Sequence, residues 1–126
     1  MGEVSEVLNS DNFIPASGQG TLAVETMSSN TILTALISSV DHAPTRAVSI
    51  AERAYLARLG AGCATAASAF ATLDGDSMTI RGFAASLNGD RSMTRTSSGD
   101  IVDASELGNA LAEDMITNGA LELIHA

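Results

Sequence analysis

The sequence predicts an α+β fold: a three-stranded antiparallel sheet with helices packed on one face, preceded by a strand and a linking helix. Three observations predict it. Apolar residues recur at helical spacing around 32–40, 47–59 and 107–115. Past Cys63 the signal changes to a strand-like period over 66–73, 77–87 and 91–98. Asp74-Gly75-Asp76 and Asn88-Gly89-Asp90 separate those runs, and each holds a pair that tight hairpin turns favour.

Taken in order, residues 1–12 mix acidic and polar side chains without a strong pattern. Phe13-Ile14-Pro15-Ala16-Ser17-Gly18-Gln19-Gly20 reads as a loop, and Thr21-Leu22-Ala23-Val24-Glu25 as a short strand. Ser28, Ser29 and Asn30 are good N-cap types, and Ile32, Leu33, Leu36, Ile37 and Val40 behind them give an amphipathic helix. Asp41-His42-Ala43 is a break, and Pro44 suits the first turn of a second helix. There Val48, Ala51, Tyr55 and Leu59 form one seam, widened by Ala47 and Ala54. Glu52 falls near that seam and needs a partner that neither Arg53 nor Arg58 easily supplies. Gly60 and Gly62 end the helix, because glycine takes the left-handed conformation cheaply. Ser92, Thr94, Thr96 and Ser98 mark the third strand as a solvated face or an edge. Asp103-Ala104-Ser105-Glu106 has capping-box spacing before Leu107, Leu111 and Met115. Asn118-Gly119 interrupts, and Leu121, Leu123 and Ile124 suggest one more helical turn. The helices and strands thus segregate into two layers.

Composition narrows the function. The chain has 126 residues, enough for one domain and a short extra segment, and its core is built from small residues because the aromatics are only Phe13, Tyr55, Phe70 and Phe83. The net charge is -9, with six scattered arginines and no lysine. Nucleic-acid backbone binding needs clustered positive charge, so no nucleic-acid partner is expected. The absence of a long apolar run argues against a membrane span, and one cysteine excludes an internal disulfide; a cytoplasmic location is the natural expectation. His42 and His125 have no companions at metal-ligand spacing, so no metal is expected. Nothing resembles a nucleophile elbow, and Gly18-Gln19-Gly20 lacks the lysine and hydroxyl residue of a phosphate loop. Met78, Met93 and Met115 read as core filler.

Cys63 is the one thiol, placed just after a patterned helix breaks into Gly60-Ala61-Gly62. By itself, a solitary cysteine among alanines reads as a small apolar core residue. Its place past a helix C-terminus does not favour a thiolate either, since the dipole there is negative. What the loop offers is access, through its glycines.

Three segments carry a resemblance over most of the chain. Ile14-Pro15-Ala16-Ser17-Gly18-Gln19-Gly20-Thr21-Leu22-Ala23-Val24-Glu25 is the first. Ala51-Glu52-Arg53-Ala54-Tyr55, followed at the right distance by the glycine-cysteine loop, is the second. The third is Gly82-Phe83-Ala84-Ala85-Ser86-Leu87-Asn88-Gly89-Asp90 with Ala110-Leu111-Ala112 and Asn118-Gly119-Ala120. Together, in this order, they resemble the C-terminal part of porphobilinogen deaminase, also called hydroxymethylbilane synthase. The chain departs from the family at Ala61, where a second adjacent glycine is usual, and at Thr65-Ala66-Ala67-Ser68, which lacks a proline.

The resemblance implies that residues 1–42 are the C-terminal remnant of a first domain, strand included, plus the linking helix. It implies that 43–126 are the cofactor-attachment domain. Cys63 would carry a dipyrromethane cofactor through a thioether, with Gly60 and Gly62 giving access, and a thiol suits that role as a strong nucleophile. Gln19 would lie toward the active-site side, or merely sit exposed in a glycine turn. Arg53 would orient the loop, help hold the domains together, or form a surface ion pair. The implied reaction condenses four porphobilinogen units into a linear tetrapyrrole with release of ammonia, in heme and porphyrin biosynthesis. The implied partners are the N-terminal domains of the same enzyme, whose arginines and acid/base aspartate this fragment lacks; alone, the fragment is expected to be inactive. The other reading is a non-catalytic interaction module of the same fold without the cofactor. Finally, the strand at 21–25, normally covered by the first domain, invites either pairing between copies into a dimer or disorder before Phe13.

Overall fold

A computed structural model describes residues 4–125. Its elements in order are α1 (Thr31–Ile37), continued by a 3-10 turn (Ser38–Val40), α2 (Ala43–Leu59), β1 (Ala67–Asp74), β2 (Ser77–Ala85), β3 (Ser92–Asp100), a 3-10 turn (Ile101–Asp103), α3 (Ala104–Thr117) and α4 (Ala120–Ile124). The strands form an antiparallel meander in the order β1-β2-β3, so the expected α+β architecture is the observed one. Asp74 pairs with Ser77, leaving Gly75 and Asp76 as a two-residue hairpin loop, with Gly75 at φ 59. The second hairpin is wider, and Ser86 closes it: its amide donates to the Arg91 carbonyl oxygen at 3.0 Å, and its hydroxyl donates to Asp90 Oδ1 at 2.7 Å.

Strand alternation sorts β2 into two faces. Met78, Ile80, Gly82 and Ala84 are buried toward the helices, while Thr79, Arg81 and Phe83 face the other way. α2 and α3 pack against each other and onto the sheet, and Tyr55, Met78, Ile80, Leu111 and Met115 are the largest fully buried side chains. The rest of the core is largely alanine, which lets the layers approach closely. A Cβ added at Gly108 would fall well inside contact distance of the Ala51 carbonyl oxygen, and one at Gly82 would sit 2.7 Å from Tyr55 Cε2. Tyr55 in turn donates its hydroxyl to the Phe83 carbonyl oxygen at 3.1 Å, so its one polar atom is satisfied in the interior.

The N-terminal segment departs most from expectation. Residues 21–25 form no strand; Leu22 and Val24 are exposed, at 95% and 63%. A strand needs a free partner edge, and side chains occupy the outer edge of β1, as described below. Asn30 caps α1 by accepting the Leu33 amide, but α1 ends at Ile37, and Ile32, Leu36 and Val40 are exposed rather than buried. Asn9 to Phe13 forms a turn: Asn9 O accepts the Phe13 amide at 2.9 Å, and Arg81 reaches across from the sheet to the Ser10 carbonyl oxygen and Asp11. Residues 1–3 lie outside the described residues. The capping box at α3 is absent; Asp103 makes no side-chain cap, and Asp100 instead accepts the Val102 amide at 3.0 Å to cap the preceding 3-10 turn.

Gly108→Ala is expected to destabilise the domain by about 1–3 kcal/mol, because backbone rather than a flexible side chain stands in the way. Gly99→Ala meets only the Leu107 side chain, at 3.3 Å from Cδ1 and 3.8 Å from Cδ2, and costs less. Urea denaturation of the two variants side by side measures the difference.

Candidate functional site

α2 carries Cys63 out of the core and stops in a way set by its own sequence. Gly60 adopts φ 71, its amide donates to Ala57 O at 3.2 Å, and the Ala61 amide reaches back to Leu56 O at 3.0 Å. This is a Schellman stop, with Leu56 and Ala61 both packed against the core. Ala61 therefore fits: among the described residues no non-glycine has a positive φ, and its methyl supplies the apolar contact that such stops use. Gly62, expected to be left-handed, does not have a positive φ. Its amide donates to Thr65 Oγ1 at 3.1 Å, while the Thr65 amide donates to Gly62 O at 2.9 Å. Cys63 and Ala64 form the tip of that closed turn. The Ala67 amide then bonds Thr65 O at 2.8 Å and leads into β1.

The Cys63 thiol is exposed rather than buried among alanines. No atom lies within 4 Å of where a Cβ would stand at Gly60 or Gly62. The sulfur is thus accessible from solvent.

A second feature binds the loop's neighbourhood together. Glu52, on α2, is 3% exposed, and its carboxylate accepts the Gly18 amide at 2.6 Å and the Ala71 amide at 2.9 Å. The partner that Glu52 needs is thus backbone, not arginine. Beside it, Ser17 Oγ accepts the Ala69 amide at 2.9 Å and donates to Ala69 O at 3.0 Å, while Ser68 Oγ donates to Pro15 O at 2.5 Å. Loop 15–18 is thereby laid along the outer edge of β1, where Ser17 pairs both ladder groups of Ala69. Glu52 offered a signal in the sequence, an acid on an apolar seam. Ser17 and Thr65 offered only their general use of hydroxyls in turns.

Gly60, Gly62 and Cys63 share one loop. Gln19 is exposed at the tip of its own turn, where Gly18 and Gly20 have φ 72 and 82 and Gln19 Oε1 accepts the Ala16 amide at 3.2 Å. Arg53 is exposed and makes no ion pair among the described residues. No hydrogen bond joins Gln19, Arg53 and Cys63 among the described residues. His42 serves structure: its Nδ1 accepts the Thr45 amide at 3.3 Å and caps α2. Among the described residues no cluster of three or more His, Cys, Asp or Glu could hold a metal, and no helix is long and apolar enough to cross a membrane.

Fold and site together define a small α+β domain that offers one accessible thiol on a hydrogen-bonded turn, between a stopped helix and a braced sheet edge. Residues 46–117 match the family described as porphobilinogen deaminase, C-terminal domain. The chain is also 36% identical over 124 residues to porphobilinogen deaminase of Deinococcus radiodurans, across 98% of this chain and 40% of that protein. The chain belongs to the porphobilinogen deaminase family, and it spans about two fifths of the length of this relative.

Burial raises the Glu52 carboxyl above 4.5, against the lowering effect of the Ala71 and Gly18 amides. A carboxyl raised on folding holds its proton longer in the folded state. Its charging therefore costs stability as pH rises from the unfolded value near 4.5 through the folded one. The stability difference between the wild type and Glu52→Gln, measured by denaturation at several pH values, is expected to shift against the wild type across that window and then level off. A shift in the opposite direction would show that the amide bonds outweigh burial.

Proposed function

We propose that this chain is the cofactor-bearing C-terminal part of a hydroxymethylbilane synthase, a cytoplasmic transferase that condenses four porphobilinogen units into a linear tetrapyrrole with release of ammonia. Residues 1–42 are the returning end of the first domain and its linking helix, and 43–126 are the attachment domain. Cys63 holds the dipyrromethane through a thioether. The observation that carries this reading is the exposed sulfur on a closed turn, in a chain of this family. When bound, dipyrromethane supplies the primer on which the pyrrole chain lengthens. The chain's own contribution is presentation. Gly60 stops α2 so that the thiol clears the core, and the Gly62–Thr65 bonds hold it at the turn tip. Gln19 faces the reacting side, and Arg53, unpaired in its own chain's described residues, is free to meet the preceding domains.

The charge balance supports a division of labour. Each pyrrole unit of substrate and product carries carboxylates, and a polypeptide of net charge -9 with scattered arginines cannot supply the positive field they need. That field, and the proton transfers of the condensation, belong to the portion of the enzyme beyond the two fifths covered here.

Two outcomes follow. The pure chain is expected to fold, by circular dichroism, yet give no bilane from porphobilinogen in a turnover assay. Co-produced with an N-terminal polypeptide of the family, it is expected to gain the mass of one dipyrromethane, lost in Cys63→Ser. An assembled, active complex whose Cys63 stays unmodified would favour the alternative, a module of the same fold that does not carry the cofactor.

A further inference from the structure

We infer that Glu52 is a positioning residue for the thiol loop, a reading that deepens the assignment of Cys63 as attachment point. The loop 60–66 hangs between two elements, the end of α2 and the start of β1. Glu52 ties those elements to each other directly, from a side chain on α2 to the Ala71 amide of β1 at 2.9 Å. With its other oxygen it holds the Gly18 amide at 2.6 Å, next to Gln19. One carboxylate therefore sets both the span from which Cys63 is suspended and the seat of the Gln19 turn. No arginine among the described residues pairs with Glu52, so its geometry is fixed by the two amides rather than by a movable side chain. A carboxylate can accept from both N–H groups at once. A glutamine of the same shape can accept from one and turns its own N–H₂ on the other.

The test uses this chain as it is, by hydrogen exchange and by the spectrum of a nitroxide coupled to Cys63. In Glu52→Gln the amides of Gly18, Ala71, Gly62 and Thr65 are expected to exchange about tenfold faster or more, while those of Ile80 and Leu111 change far less. The nitroxide line is expected to narrow. Ser17→Ala removes the neighbouring anchor at Ala69 but keeps the carboxylate; it is expected to speed exchange at Ala69 and leave the nitroxide line as in the wild type. Glu52→Asp, one methylene too short to span both amides, is expected to reproduce the selective pattern and serves if the glutamine variant does not fold. An equal rise in exchange across the whole domain, or an unchanged nitroxide line in both Glu52 variants, would overturn the positioning role. Neither readout depends on dipyrromethane, so a failure here is distinct from a failure of cofactor attachment, which mass at Cys63 reports.

Discussion

A buried acid without a cation is the constraint on which this structure turns. Taking a carboxylate out of water costs several kcal/mol, on the order of what a whole small domain has to spare. Glu52 offsets that cost with two charge-assisted hydrogen bonds from the Gly18 and Ala71 amides, so the arrangement is stable only when both backbones arrive together. Loop 15–18, α2 and β1 are consequently tied together at this point. The hydroxyls of Ser17 and Ser68 extend the contact along β1, and the outcome is an edge strand whose Ala69 amide and carbonyl and Ala71 amide are all paired. This is also why residues 21–25 form no ladder there: the edge is occupied by the residues just before them.

The second determinant is the small size of the core residues. With Ala51 and Gly108 at the crossing of α2 and α3, backbone meets backbone, and Gly82 leaves the room that the Tyr55 ring fills against the sheet. Layers packed this closely leave little room to repack around a larger side chain. The close fit fixes where α2 ends relative to β1, and therefore where the thiol emerges. A larger, more aromatic core would tolerate more variation in that distance.

Much of this was legible in the sequence, unevenly. The three strands, their hairpins and the seam Ala51-Tyr55-Leu59 follow from local period and turn chemistry, and the structure has them within one or two residues. Gly60 as the stop of α2 is a local rule as well. At 21–25 alternation describes a side-chain pattern, whereas a strand also requires a vacant edge, which depends on distant residues. α1 shows the same difficulty: its apolar stripe is real, but among the described residues nothing buries Ile32, Leu36 or Val40. At Asp103 the capping spacing was right and the geometry was not, since Asp100 had already started a tighter turn. Around Cys63 the glycines pointed to access, while Thr65, which closes the turn, left no mark beyond being a hydroxyl residue. Glu52 announced a need for a partner, yet amides 34 and 19 residues away cannot be found from spacing.

The turn that holds Cys63 has hydrogen bonds at both of its ends, and its flanks are a stopped helix and a paired strand. Any group coupled to the sulfur can therefore move only by rotation about the Cα–Cβ and Cβ–Sγ bonds and the bond from Sγ to the group, while the backbone beneath it stays put. A chain that lengthens on the sulfur, as the proposed function has it, cannot be carried along by movement of the loop at its root. Either its far end advances through surrounding space while the root stays put, or the whole domain travels as a rigid body.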